Sequence, residues 1–265
     1  MKIKNSIVGY ACVLMLIFSA CSKETVDAFE NDTQQEIYDL KLNNSQLNNL
    51  KNQAKNRHNE YLDSLRIGLI SNGYTTNTSD TIKESYLLTY SHSFFDKYYT
   101  ASERVFIDST INDISASSGL DAYLLAGLAL INNDTVENYL ASIEVIFDDE
   151  LTPTQFTSAT QTLFNNALNQ NYSDATNIPI ANITGVAQGT YNYWYNNIQG
   201  WLGEIIIVDP NARPKWLDYV IDFAVQDLHG AASGGAIGGM MGGVGAGPGA
   251  VMGASICSGA EALSW

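Results

Sequence analysis

Few side chains in this sequence carry chemistry of their own, and their spacing decides which of them can act together. His92 and Asp96 stand four residues apart, so on a helix they share a face and could hold a metal or form a surface ion pair. The ion pair is the expected reading, because a zinc site needs three or four ligands and no other histidine is near in sequence. His58 and Glu60 are two apart and point different ways on a helix. His229 borders a long glycine tract, where it can neutralise a helix C-terminus or meet Asp222 or Asp227. Asp148-Asp149-Glu150 could offer oxygens to calcium, but it lacks the alternating ligands and central glycine of a twelve-residue calcium loop and is expected to be a solvated helix end. Tyr191, Trp194, Tyr195, Ile198 and Trp201 form an aromatic stripe at helical spacing, able to stack on sugars and expected to be core. Neither HExxH, GxSxG nor a P-loop occurs, and the glycines between positions 234 and 249 lack the lysine and preceding strand of a nucleotide loop. The expectation is a protein without catalytic residues, metal or cofactor.

Cys21 offers a different chemistry, acylation of a thiol. Lys2 and Lys4 make a positive start, residues 7–18 an apolar run, and Ser19-Ala20 the small residues that signal-peptide cleavage requires. Twelve apolar positions are few for a bilayer span, which takes about 20. The pattern reads as a lipobox and resembles that of bacterial lipoprotein precursors. That resemblance implies a signal peptide over residues 1–20, a lipidated tether over 21–33 beginning at an acylated, palmitate-bearing Cys21, and a protein held to the membrane through this lipid. Ser22-Lys23-Glu24 is similar to the short charged signals that send Gram-negative lipoproteins to the outer face of the outer membrane, which would make the protein surface-exposed in the cell envelope.

Charge narrows the partners. Thirteen basic residues against 28 acidic give −15, and because residues 1–20 hold two lysines and no acid, their removal leaves −17. Such a chain repels phosphate backbones and anionic headgroups, so nucleic acid is not an expected partner. Loss of Cys12 with the signal and acylation of Cys21 leave Cys257 as the remaining thiol, a small buried hydrophobe, so the fold must stand without an internal disulfide.

The intervening elements read as helices, giving an all-α bundle over residues 34–228. Apolar residues at Ile37, Leu40, Leu47, Leu50, Ala54, Tyr61, Leu65 and Leu69 follow one helix face from 34 to about 70. A turn-rich loop over 71–80 precedes a helix to about Tyr99, capped by Ser79 or Asp80 and carrying Tyr86, Leu87, Tyr90, Phe94, Phe95 and Tyr98 on a broad aromatic face. Further helices are predicted over 102–114 and 120–131, and after a cap at Asp134 or Thr135, with Val136, Tyr139, Leu140, Ile143 and Phe147 inward. Thr152-Pro153-Thr154-Gln155 is a capping box with proline at the first helical position, opening a helix to about Asn169. Residues 171–189, rich in Asn, Thr and Gly, are expected to be irregular, and 215–228 to be helical.

The last segment, 229–265, is unusual. From Gly230 to Ala260 there is no charge across 31 residues, which permits the whole run to be buried. Small residues recur every four at Gly230, Gly234, Gly238, Gly242, Ala246, Ala250, Ala254 and Ser258, with a second register at Gly235, Gly239, Gly243 and Gly247. This spacing places them on one helical face where another backbone can approach closely. The tract is similar to the glycine-zipper hairpins of two-peptide bacteriocins and of envelope lipoproteins. Pro248 disfavours helix just before it, so the break between two arms, about 229–245 and 249–264, is predicted there, with Ile237, Met240, Met241, Val244, Val251, Met252, Ile256 and Leu263 on the outer faces.

Three fates are open to the tract: a hairpin buried in the bundle, a membrane-inserting or self-associating element over residues 230–262, and a flexible tail, against which the strict spacing argues. The leading expectation is a lipid-anchored envelope protein with a non-catalytic binding or structural role. A pore-forming, bacteriocin-like protein and a surface carbohydrate-binding lipoprotein are the alternatives.

Overall fold

The computed structural model describes residues 41–99, 128–129, 131–147, 149–202, 205–206, 216–239 and 246–264. The protein is all-α: seven helices pack together and no strand occurs among the described residues. Leu42–Trp265 forms one compact unit. The proposed signal and tether, Cys21, and the helices predicted over 102–114 and most of 120–131 lie outside the described residues.

Helix α1 (Asn44–Ser71) opens on a capping box: Asn43 Oδ1 accepts the Gln46 amide at 3.0 Å, and Gln46 Oε1 accepts the Asn43 amide at 2.9 Å. The helix face expected from residue 34 therefore starts at Asn44, residues 41–43 being non-helical. Helix α2 (Asp80–Phe95) has Ser79 at its N-cap and stops short of the expected Tyr99. Its aromatic face packs on α1, with Tyr61 stacked 5.5 Å from Phe95 and edge-on to Phe94. Helix α3 (Asp134–Phe147) is capped by Asn133, whose Oδ1 accepts the amides of Thr135 and Val136, one residue ahead of the cap expected from sequence. Helix α4 (Pro153–Asn169) forms as predicted from the Thr152/Gln155 box.

The largest departure is α5 (Asp174–Trp201), which runs through most of the segment expected to be irregular. Its Asn, Thr and Gly residues are poor helix formers in isolation, and Pro179 within it removes a donor and crowds the preceding turn. Burial overrides these preferences. Thr184 Oγ1 bonds back to Ile180 O at 2.6 Å and lies 2.6 Å from Tyr139 OH, and Gln188 Nε2 donates to Thr160 Oγ1 at 3.1 Å. The glycines serve approach: a Cβ on Gly185 would overlap the Lys51 carbonyl, and one on Gly189 would sit 3.1 Å from Lys55 O. Contacts of 51 with 185, 55 with 189 and 66 with 200 keep one offset, so α1 and α5 lie parallel. Arg66 closes the far end by donating twice to Gly200 O, at 2.7 and 3.1 Å.

Helix α6 (Trp216–Gly239) continues without interruption from the expected 215–228 segment into the glycine tract, and α7 (Ala246–Ser264) follows. Pro248 does not mark the break. It is the third residue of α7, in the first turn, where an N–H has no intrahelical acceptor and its loss costs little. Val251, Met252, Ile256 and Leu263, expected on an outer face, are buried, because α7 is enclosed by α1, α2, α5 and α6.

Four buried phenols give this core an alkaline limit. Burial raises the pKa of Tyr61, Tyr139 and Tyr193, and pushes Tyr191 up to about 12. Above about pH 10 the unfolded chain releases these protons while the folded chain keeps them, so the native state binds more protons and stability falls as pH rises. In a titration followed by phenolate absorbance, these tyrosines are expected to ionise together with loss of helical circular dichroism. Ionisation of all fifteen tyrosines near pH 10 with the helices intact would contradict the burial.

Candidate functional site

The close approach of α6 and α7 rests on four glycines. A Cβ on Gly230 would meet Gly253 O at 2.5 Å and Cys257 Sγ at 2.6 Å; one on Gly234 would overlap Gly249 O and lie 2.7 Å from its carbonyl carbon; one on Gly253 would overlap Gly230 O. Four residues forward on α6 matches four back on α7, so the arms are antiparallel with backbones in contact. Of the residues read as the packing face, Gly230 and Gly234 lie at this seam. Gly235 is beside it, its added Cβ an ordinary 3.5 Å from Ala250 Cβ and 3.6 Å from Ala246 O. Gly238 and Ala254 are buried, Gly239 ends α6, and Gly242 and Gly243 lie outside the described residues.

The tightest contacts of the second arm with the first are at Gly249, Gly253 and Cys257, and Ala246 and Ala250 lie beside them against Gly235.

Ser258 turns instead toward a buried polar cluster centred on Asp227 of α6. Asp227 Oδ2 accepts hydrogen bonds from Thr190 Oγ1 of α5 and Ser258 Oγ of α7, and from the Trp194 indole of α5 at 3.4 Å. The same indole donates to Ser258 Oγ at 3.2 Å. His58 of α1 places Nε2 3.0 Å from Asp227 Oδ2, at ion-pair distance but without hydrogen-bond alignment, and its Nδ1 lies 3.1 Å from Asn59 Oδ1. His58 and Asp227 are both 0 % exposed, and Asp227 Oδ1 has no hydrogen-bond partner. Serine, histidine and aspartate meet here, yet the serine donates to the aspartate and not to the imidazole, so the order of a nucleophile, base and orienting acid is not present. The arrangement ties four helices to one carboxylate.

Sequence reasoning missed this cluster because His58 and Asp227 are far apart in the chain. One signal was legible: Asp227 lies four residues from both Phe223 and Ala231, an acid on an otherwise apolar helix face. His229 is not paired with Asp222 or Asp227. It bonds through Nε2 to Glu144 Oε1 of α3 at 2.7 Å, on the partly exposed side of α6. His58 and Glu60 diverge as expected: His58 is buried, whereas exposed Glu60 accepts the Tyr98 hydroxyl. His92 is half-buried and Asp96 exposed at the end of α2. Tyr191, Trp194, Ile198 and Trp201 are core, with Trp194 stacked 4.1 Å from Phe223, leaving Tyr195 half-buried and edge-on to exposed Trp216. Among the described residues no group of three or more His, Cys, Asp or Glu could hold a metal, and no helix is long and apolar enough to cross a membrane.

Among the described residues, two clefts bear on this part of the bundle. One, of about 450 Å³, is lined by Lys55, by Pro153, Thr154, Thr157 and Ser158 at the start of α4, and by Gln161, Thr162 and Asn192, a wall rich in hydroxyls and amides. Behind it Lys51 donates to Gln161 Oε1, and burial followed by the charge of Lys55 lowers its pKa. The other, of about 340 Å³, lies between the start of α1, Tyr98 and Tyr99 after α2, Ile178 and Asn182 of α5, and Gly247, Pro248 and Val251 of α7. At its edge Leu42 N donates to the Asp174 carboxylate at 2.9 and 3.2 Å, pinning the chain where it joins the bundle. A scan against protein-family models and searches of the curated proteins and of the solved structures find no match to this chain.

Proposed function

We propose that this chain is a lipid-anchored protein of the bacterial cell envelope, at the outer membrane, whose helical body has a non-catalytic binding or structural role. The observation that carries the role is the position of the glycine tract. Its arms lie backbone to backbone inside the bundle, beside a buried carboxylate that accepts hydrogen bonds from two neighbouring helices, so the uncharged run contributes to the core of the body. The lipobox around Cys21 supports the anchor, and the Leu42–Asp174 clamp supports a defined point at which a tether would leave the body. Insertion of residues 230–262 into a bilayer would first have to part the Gly230–Gly253 and Gly234–Gly249 contacts. Sugar stacking would be left to the Tyr195–Trp216 pair, since the other rings of the stripe are enclosed.

Production of the full chain in a Gram-negative host with an alkyne-tagged palmitate tests the anchor. The protein is expected to carry the label and sediment with outer membranes, and Cys21→Ser is expected to lose both. A soluble wild-type protein without label, or a Cys21→Ser protein that keeps it, would overturn the reading.

A further inference from the structure

We propose that the 340 Å³ cleft beside the start of α7 is a binding site for a small amphiphile with an anionic head, an alkyl carboxylate being the simplest member of the class. The site goes beyond the envelope role and does not depend on acylation of Cys21. Three donors share this cleft. The Arg57 guanidinium sits 5.1 and 5.2 Å from the ring centres of Tyr98 and Tyr99 and makes no ion pair among the described residues. In a chain with 28 acids to 13 bases, this half-buried arginine meets two aromatic rings and no carboxylate among the described residues, which leaves its charge open to an anion.

Asn182 is 2 % exposed and its Nδ2 has no acceptor. A buried donor left without a partner is unfavourable, and an incoming oxygen would satisfy it. The amide lies against Gly247, where an added Cβ would be 3.7 Å from Nδ2. Gly247 is the second residue of a 19-residue helix, so its N–H is among the first four without an intrahelical acceptor, at the positive end of the helix dipole. Apart from Gln53 and the two tyrosines the remaining wall is apolar, with Leu50, Ile178 and Val251 among its members. Positive and donor groups beside an apolar wall match a carboxylate carried on a hydrocarbon, and the volume is that of a small-molecule site.

The test uses the chain from residue 22 onward, which retains the whole compact unit, titrated calorimetrically with decanoate, decan-1-ol and decyltrimethylammonium below their aggregation limits. Decanoate is expected to bind one to one, and the alcohol and the cation at least about tenfold more weakly. Arg57→Gln and Asn182→Leu are expected to weaken decanoate by about tenfold and leave decanol nearly unchanged, and Val251→Trp, which fills the cleft, to abolish both. Circular dichroism checks that each variant is folded. Protection of Arg57 from phenylglyoxal by decanoate, read by mass spectrometry on the unsubstituted chain, is expected as well and needs no variant. Absence of decanoate binding at millimolar concentration, unchanged binding in folded Val251→Trp, or an unprotected Arg57 would overturn the proposal. Because Cys21 is absent from the tested chain, these outcomes are separate from those of the palmitate experiment.

Discussion

Gly234→Ala is expected to destabilise the protein by about 3 kcal/mol or more, while Gly235→Ala, one residue along the same helix, is expected to be neutral or to stabilise by up to about 1 kcal/mol. The difference is steric. A methyl on Gly234 would occupy the place of the Gly249 carbonyl oxygen and lie 2.7 Å from its carbon, and backbone inside a packed helix pair cannot step aside as a side chain can. The two arms would have to separate, opening voids along a seam that holds Cys257 in the core. At Gly235 the new methyl reaches Ala250 at 3.5 Å, an ordinary contact, and gains the helix preference of alanine over glycine. Urea unfolding followed by circular dichroism reads both. Equal effects at the two positions would mean that α6 and α7 do not meet at the Gly234–Gly249 and Gly230–Gly253 crossings.

Asp227→Ala is expected to cost about 3–5 kcal/mol, the usual range when one partner of a buried charged contact is removed. The substitution strips Thr190, Ser258 and the Trp194 indole of their shared acceptor and leaves His58 buried opposite a void. Because these groups act on one oxygen, losses should not add: His58→Leu combined with Asp227→Leu is expected to be markedly less damaging than the two single effects summed. Since Trp194 is stacked on Phe223, its fluorescence reports on the same site. Additive single and double effects would show that the histidine and the carboxylate are independent, against the 3.0 Å geometry.

The helices most legible in the sequence are those whose signals are local. The Thr152–Gln155 box and the adjoining proline located α4 to the residue, and the Leu47-to-Leu69 stripe identified the buried face of α1. Helix α5 was illegible for the same reason: its Asn, Thr and Gly residues argue against helix within any short window, and what holds them helical are partners on α1, α3, α4 and α6. The sequence pairs Asp227 with its neighbour His229, whereas the imidazole beside it is that of His58, on a helix more than a hundred residues earlier.

For this protein, the chain by itself determined the all-α class, the Thr152/Gln155 cap, the uncharged glycine-rich run and its need for a second backbone, because helical period, capping and glycine's missing side chain act within one or two turns. The tertiary structure alone decided which glycines touch, where Pro248 falls, that residues 174–201 are one helix, and that Asp227 gathers bonds from neighbouring helices. Those outcomes depend on where the chain reverses and on which donors burial brings to one oxygen, and spacing along a single helix carries no record of either.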